Sequence, residues 1–518
     1  MDNPNNTVTL NEENATLHNP GTDTAAENTS GRTFKDFLFR SKHSKLFIWL
    51  TALAIILEFI VFKYFYPSAG FIDGDSYVYI ETAYGNFSIN TYPIGYSKFL
   101  RLFSVLTISN TALVAFQYLM IQASSLLLVL TLSYFYKPGK ITFVVLYASM
   151  VFNPVFLFMA NYVSSDALFL SLSLTWFATL IWILHQPNKA LIYLHAFLIL
   201  LAFTVRYNAL FYPVIAALAF IISRQSWKMK VIGIVSSMIL IAGFMWHTGN
   251  QYKRLTGIRQ FSPFTGWQMA NNALYIYRFV QDEPPPKMPK KFAALDKAVR
   301  RYFDTTRNVF VHQQEMFIAN TWYMWDPKSP LQRYMNRQFK KDSTATSLKR
   351  WASMGPLYNE YGSFLIKKYP LKFAQYFLIP NSLKYYAPPV EFLDTYNMGK
   401  DSIAPIGQMW FGFESRKLKM HFKDLKVNVL NFYPILVGVM NVIFVFSLIG
   451  FVVLKGFRYN KPLSYGLLLA FGLWVVNCGF SVFASQIALR FQMTPILIFF
   501  SFGLLLIDYV WRAAFNKL

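Results

Sequence analysis

Long apolar runs alternate with short polar breaks along the chain, and one long polar stretch interrupts them. Apolar runs of near-spanning length fall at 46–66, 110–136, 141–159, 166–185, 190–205, 207–223, 230–247, 430–454, 463–482 and 489–510. A hydrocarbon core about 30 Å thick needs about 20 apolar residues in helical form. The pattern therefore predicts about ten transmembrane helices, with the count most easily in error where 190–205 and 207–223 meet at Arg206. The opening stretch, MDNPNNTVTLNEENATLHNPGTDTAAENTSG, is rich in Asn, Thr and Glu and has no apolar period, which predicts a disordered tail over 1–31. It lacks the charged start and cleavage site of a signal peptide, so the first apolar run is expected to stay as an anchor.

The polar stretch 248–428 is not of low complexity. FTGWQMANNALYIYRF and NTWYMWDPKSPLQRYM are dense in aromatic residues, as a folded domain would be. DEPPPKMP at 282–289 reads as a rigid connector. KKFAALDKAVRRYFD follows with helical spacing, and YGSFLIKKYPLKFAQYFL mixes apolar and Lys positions as an interfacial helix does. The expected organisation is a tail (1–31), a module of about seven helices (32–247) with a first loop at 67–109, a polar domain (248–428), and about three further helices (429–518).

Composition strengthens the membrane assignment. Of 518 residues, 54% are hydrophobic, 19% aromatic and only 14% charged, with a mean hydropathy of +0.31. A soluble chain of this length has too little interior to hide so much apolar surface. The fold class is an all-α polytopic membrane protein carrying one large extracytoplasmic domain, α-rich or mixed. The lone Cys478 permits no intrachain disulfide and reads as a small packing residue.

Charge then sets the expected orientation. The segments RTFKDFLFRSKHSK, KPGK, HQPNK, SRQSWKMK, KGFRYNK and WRAAFNKL hold sixteen Lys and Arg, whereas the short connections on the other side hold four: Lys98, Arg101, Arg206 and Arg490. By the positive-inside rule both termini are cytoplasmic and the first loop and 248–428 lie outside. The net charge of +24 first suggests nucleic acid, but the 28 basic and 13 acidic residues of 248–428 place most of that excess outside. Membrane lipids or acidic polymers are the better match, and no nucleic-acid partner is expected.

Five charged residues are expected at that one outer interface. FIDGDSYVYI places Asp73 and Asp75 just past the first helix, Asp166 opens the fourth, Arg206 ends the fifth and Arg490 opens the tenth. Charged residues at helix ends are cheap there, and simple snorkelling or turn chemistry accounts for any one of them. Carboxylates and guanidinia together suit group transfer from a membrane-bound phosphate ester. A carboxylate removes the proton of an incoming hydroxyl, and arginines hold the departing phosphate. Nucleotide donors are cytosolic, which argues against a nucleotide–metal clamp at Asp73 and Asp75. His195 and His247 read as helix or interface residues, and no spacing of metal ligands is seen.

Asp75-Ser76-Tyr77-Val78-Tyr79 followed by TYPIGYSKFLRLF, with Tyr92, Pro93, Gly95 and Tyr96, resembles the first external loop of the GT-C superfamily of membrane glycosyltransferases. The likeness is greatest to bacterial members akin to protein O-mannosyltransferases and lipid A aminoarabinose transferases. Ser165-Asp166-Ala167-Leu168-Phe169, Arg206-Tyr207-Asn208-Ala209-Leu210 and Arg490-Phe491-Gln492-Met493-Thr494-Pro495 resemble three further motifs of that superfamily, in the same order. The likeness covers about 46–247 well and 463–510 loosely. The family's first acid is often followed by another acid, whereas here Ser76 follows and the second acid, Asp73, lies upstream.

The resemblance implies a polyprenyl-phosphate-linked sugar donor, a lipid, glycan or protein acceptor, and inversion at the anomeric carbon. It implies Asp75 as general base and Asp166 as a residue orienting the acceptor or the base. Charge and sidedness assign Arg206 and Arg490 to the donor phosphate. Tyr77, Tyr79 and Tyr92 are expected at the substrate; Trp267, Asn271 and Asn272 in GWQMANN are candidate sugar contacts, with ordinary loop packing the favoured alternative. Asp73 assists, binds a metal or only makes the turn. No cofactor is certain, and a divalent cation stays open. A bacterial inner membrane is the expected location. Two competing readings remain: a transporter or flippase of lipid-linked saccharides, to which Glu58 and Asn153-Pro154 point, and a non-catalytic scaffold.

Overall fold

A computed structural model describes residues 33–39, 42–280, 288–317, 321–422, 426–484 and 487–515. The expected tail 1–31 and nearly all of the DEPPPKMP connector lie outside these residues. The chain forms two units, Met1–Leu53 and Ala54–Leu518. The described part of the first is a short helix, Phe34–Phe39, and the opening turns of the helix Lys42–Phe65. Thr33 starts the short helix: its hydroxyl accepts from the Asp36 N–H at 3.2 Å, while Thr33 N and Oγ1 donate back to the Asp36 carboxylate.

Among the described residues, eight helices are long and apolar enough to cross a membrane: Lys45–Phe65, Asn110–Tyr136, Lys140–Asn161, Asp166–His185, Trp227–Thr256, Asn428–Val453, Lys461–Ala484 and Leu489–Ala514. Two shorter apolar helices, Lys189–Val205 and Tyr207–Ile222, complete the ten expected segments. Helices are the economical solution, because lipid offers no partner for a free N–H or C=O. The short pair arises because Arg206 is extended (φ −149°, ψ 130°) and interrupts the helical ladder. The run 140–161 also breaks, at Asn153-Pro154. Pro154 supplies no N–H, Asn153 Oδ1 accepts from Val155 N at 3.1 Å, and Tyr433 donates to the same oxygen at 2.7 Å.

No strand forms among the described residues, but an isolated parallel bridge joins Gly70 to Tyr162. Gly70 N donates to Asn161 O at 2.8 Å and Val163 N donates to Gly70 O at 3.0 Å. This bridge pins the loop after the first long helix beside the turn that precedes Asp166.

Two hydrophobic cores form. The larger joins the membrane-length helices, and the smaller gathers Trp267, Tyr275, Phe303, Tyr323, Tyr358 and neighbours. The stretch expected as one domain over 248–428 divides between them. Its first part, built on the helices Pro263–Tyr277 and Ser347–Lys368, has its own core. Its last part sends Val390, Leu393, Ile403, Phe411 and Leu418 into the larger core. The expected start at 248 also falls inside a helix, since Trp227–Thr256 runs on past it. The segment 387–418 is thus a strap laid on the first loop, because its apolar residues bury there.

Candidate functional site

Gly74 has φ +82°, a left-handed conformation open to glycine at little cost, and it turns the chain so that Asp75 starts the helix Asp75–Tyr84. Asp166 likewise starts Asp166–His185. Carboxylates in a first helical turn are favoured by the unpaired N–H groups there. Arg490 stands in the first turn of Leu489–Ala514, where a cation is disfavoured, so it needs acids to hold it. It finds both. Its Nη1 donates to Asp166 Oδ2 at 2.8 Å and its Nη2 to Asp75 Oδ2 at 3.3 Å. Arg206 pairs with the other oxygen of Asp166, and Ser164 Oγ donates to Asp166 Oδ2 at 2.9 Å.

The four charges balance, two against two, and three of them are withdrawn from solvent. The side chains of Arg490 and Asp166 are 2% and 3% exposed, Arg206 is 17% exposed, and Asp75 is 26% exposed. Phe491 lies 4.2 Å beneath both guanidinium carbons, and Phe392 lies 5.0 Å from that of Arg490. Arg490 Nε is buried without a hydrogen-bond partner. Asp75 is therefore the acid open to a solute, and Asp166 is the acid that fixes the arginines.

The tyrosines take different places. Tyr79 is buried, donates to Ser165 Oγ at 3.0 Å, and packs on Tyr92 and Tyr96. Burial pushes the hydroxyls of Tyr79 and Tyr92 above their ordinary range, and the Asp75 charge adds to both, so each remains a proton donor at neutral pH. Tyr77 faces the strap: its hydroxyl accepts from Ala404 N at 3.1 Å, and its ring stacks on Phe71. The strap is further tied by Phe71 N to Asn397 Oδ1 (2.9 Å), Tyr396 OH to Ser68 O (2.7 Å), Tyr162 OH to Thr395 O (2.8 Å) and Leu489 N to Pro389 O (2.8 Å).

Asp73 lies apart from the cluster. It is 41% exposed and pairs with Lys400 of the strap. Trp267 is also elsewhere: it is fully buried in the smaller core, donates to Trp351 O at 2.9 Å and stacks on the Trp351 ring. Asn271 and Asn272 are buried there too, with Asn272 donating to Phe483 O at 2.9 Å. His195 accepts from Trp176 Nε1 at 3.1 Å, and Glu58 accepts from Tyr118 at 2.7 Å.

Sequence reasoning missed Glu391. It sits on the strap at φ +43°, a strained value for a residue with a side chain, with Oε2 buried and unpaired. Burial pushes its carboxyl up to about 7, against the pull of Lys384 and Arg490. No motif marks PPVEFLD in the sequence; only the docking of the strap beside Arg490 singles it out.

An apolar cavity of about 390 Å³ opens next to the cluster. Leu168, two residues after Asp166, and Val205, just before Arg206, line it with Phe99, Leu172, Leu201 and Phe244. Gly95 shapes its wall, since a Cβ there would stand 2.5 Å from the backbone carbon of Thr204. As for a metal, the carboxylates of Asp73, Asp75 and Asp166 are each engaged by a cation. Among the described residues no group of three or more His, Cys, Asp or Glu could hold an ion.

No protein-family model, curated protein or solved structure matches the chain, so its chemistry rests on this arrangement.

Proposed function

We propose that the chain is a membrane glycosyltransferase of GT-C type that moves a sugar from a polyprenyl-phosphate donor to a hydroxyl acceptor. One observation carries the reading: two helix-opening acids, Asp75 and Asp166, are joined by Arg490 and flanked by Arg206, and an apolar cavity is lined by Val205 and Leu168, close neighbours in the chain of Arg206 and Asp166. A prenyl chain suits the apolar cavity, and a phosphate suits the two arginines of the cluster. Charge asymmetry of the connections favours cytoplasmic termini and an extracytoplasmic site. The likeness of the motifs favours a bacterial inner membrane.

In this reading Asp75, the most exposed acid of the cluster, takes the proton of the acceptor hydroxyl as its oxygen attacks the anomeric carbon. The bond from that carbon to the phosphate oxygen breaks on the opposite side, and its electron pair leaves with the polyprenyl phosphate. Configuration inverts. Arg206 and Arg490 neutralise the departing charge, and Asp166 is a positioning residue for both. Tyr79 and Tyr92 wall the site as neutral donors. Glu58 and Asn153, the features that pointed toward transport, are hydrogen-bonded to Tyr118 and Tyr433 and act as packing groups.

The test is transfer by purified protein supplied with labelled polyprenyl-phosphate sugars and membrane acceptor extracts. Asp75→Asn should lower turnover by about 10²–10⁴-fold. Undiminished turnover removes Asp75 as base. Labelled lipid crossing liposomes with no donor consumed selects the transport reading instead. Cysteine labelling that reaches position 75 only from the cytosol sinks the scheme.

A further inference from the structure

A second cavity, of about 710 Å³, lies in the region with the smaller core, against the helices Ala293–Thr306 and Pro330–Gln338. Five cations line it: Lys297, Arg301, Lys328, Arg333 and Arg337. Each is exposed and, among the described residues, none makes an ion pair. The one acid in the wall, Glu315, does not offset them. It is buried, paired with Arg278, and receives hydrogen bonds from Tyr302 (2.8 Å) and Tyr323 (3.1 Å). Like charges gathered in a concave site repel one another and raise its positive potential, and both effects are relieved by an anion.

The wall is also aromatic. Tyr302, Trp322 and Tyr334 line the same cavity, and Trp322 Nε1 donates to Tyr302 OH at 3.3 Å. Ring faces of this kind cover the apolar faces of sugars, while a bare phosphate needs only the cations. The volume lies in the range of sites that hold organic ligands of several rings.

The four-residue helix Trp322–Trp325 joins this cavity to the acid cluster. Trp322 lines the cavity, and three residues on, Trp325 packs against Tyr92 at 6.1 Å between ring centres. Tyr92 in turn stands by Asp75 and Tyr79. We infer that the cavity binds an acidic saccharide, one bearing carboxylate or phosphate groups, and that this saccharide is the acceptor, linked to the surroundings of Asp75 through Trp322, Trp325 and Tyr92. The acceptor role rests on the proposed transfer reaction; the binding does not.

Full-length protein in neutral-lipid nanodiscs, titrated with oligogalacturonate of four to six units and followed by tryptophan fluorescence and calorimetry, tests this. Maltohexaose, inorganic phosphate, oligo-dT and anionic lipid vesicles serve as comparison probes. Oligogalacturonate should bind at least tenfold more tightly than maltohexaose or phosphate. Arg301→Gln with Arg333→Gln should weaken it at least tenfold, and Lys419→Gln, an exposed cation outside the cavity wall, should leave it unchanged. Equal binding of maltohexaose, or binding indifferent to the double substitution, overturns the site. Oligo-dT or anionic vesicles binding more tightly than the saccharide, with the same dependence on Arg301 and Arg333, overturns the saccharide assignment. A single substitution, Trp322→Leu, provides a second check: it should weaken the saccharide more than phosphate. If wild-type protein transfers no sugar from the labelled donors while binding still depends on Arg301 and Arg333, the transfer reading fails and the binding site stands.

Discussion

The acid cluster at Arg490 and the basic cavity at Arg301 treat charge in opposite ways. At the cluster two arginines meet two carboxylates, with Arg490 and Asp166 buried and Arg206 and Asp75 partly so, and each charge faces one of opposite sign. In the cavity five cations face solvent with no acid of their own. A balanced, buried set defines positions, because each charge removed from water needs its partner. An unbalanced, exposed set costs little to keep and leaves its field free for a ligand. The first holds its members in fixed positions, and the second leaves its charge unspent.

The contrast breaks most visibly if single charges are removed. Asp166→Asn strands Arg206 and leaves buried Arg490 with Asp75 alone, and should cost about 3–5 kcal/mol of stability, read as a lowered Tm in detergent. Combining Asp166→Leu with Arg490→Met removes both buried charges and should recover much of that loss. A double variant as unstable as the two single changes added together would mean that the pair is not coupled.

Glu391 gives a smaller effect with a defined pH window. Its folded pKa is raised from 4.5 to about 7, so below pH 4.5 the carboxyl is neutral in both states and costs nothing. As pH rises from there through about 7, the unfolded chain ionises first and stability falls. Glu391→Gln should therefore match wild type near pH 4.5 and exceed it by about 2 kcal/mol above pH 7, allowing for partial exposure. A Tm difference independent of pH would show that the carboxyl is not titrating in this way.

The smallest effect belongs to the cavity. Arg301→Gln and Arg333→Gln should change stability by less than about 0.5 kcal/mol each, because both side chains are exposed and make no ion pair among the described residues. A large drop in Tm would mean that these arginines support the fold, and the comparison would then collapse.

Every apolar run read from the sequence is helical in the structure, because apolar character and helical hydrogen bonding are both local properties. The pair of runs around Arg206 was the weak point of the count, and it is where the two short helices stand. The acids and arginines were legible as helix-end charges, but their pairing was not: Asp75 and Arg490 are 415 residues apart in the chain. Trp267 shows the reverse error. Its neighbourhood, GWQMANN, suggests a sugar contact, yet its indole is fully buried against Trp351, because aromatic residues serve cores and binding sites with the same chemistry.

By itself the sequence determined that the chain is helical and membrane-embedded, with acids and arginines at the ends of apolar segments. Tertiary structure alone decided which cation each acid meets. Asp73 and Asp75 are two residues apart, but Gly74 turns one toward Lys400 on the strap and the other toward Arg490. Tyr77, Asp73 and the strained Glu391 all find their surroundings on that strap, which returns more than 300 residues later in the chain. Local pattern sets what each segment is; only long-range packing sets which charges lose their water and must find one another.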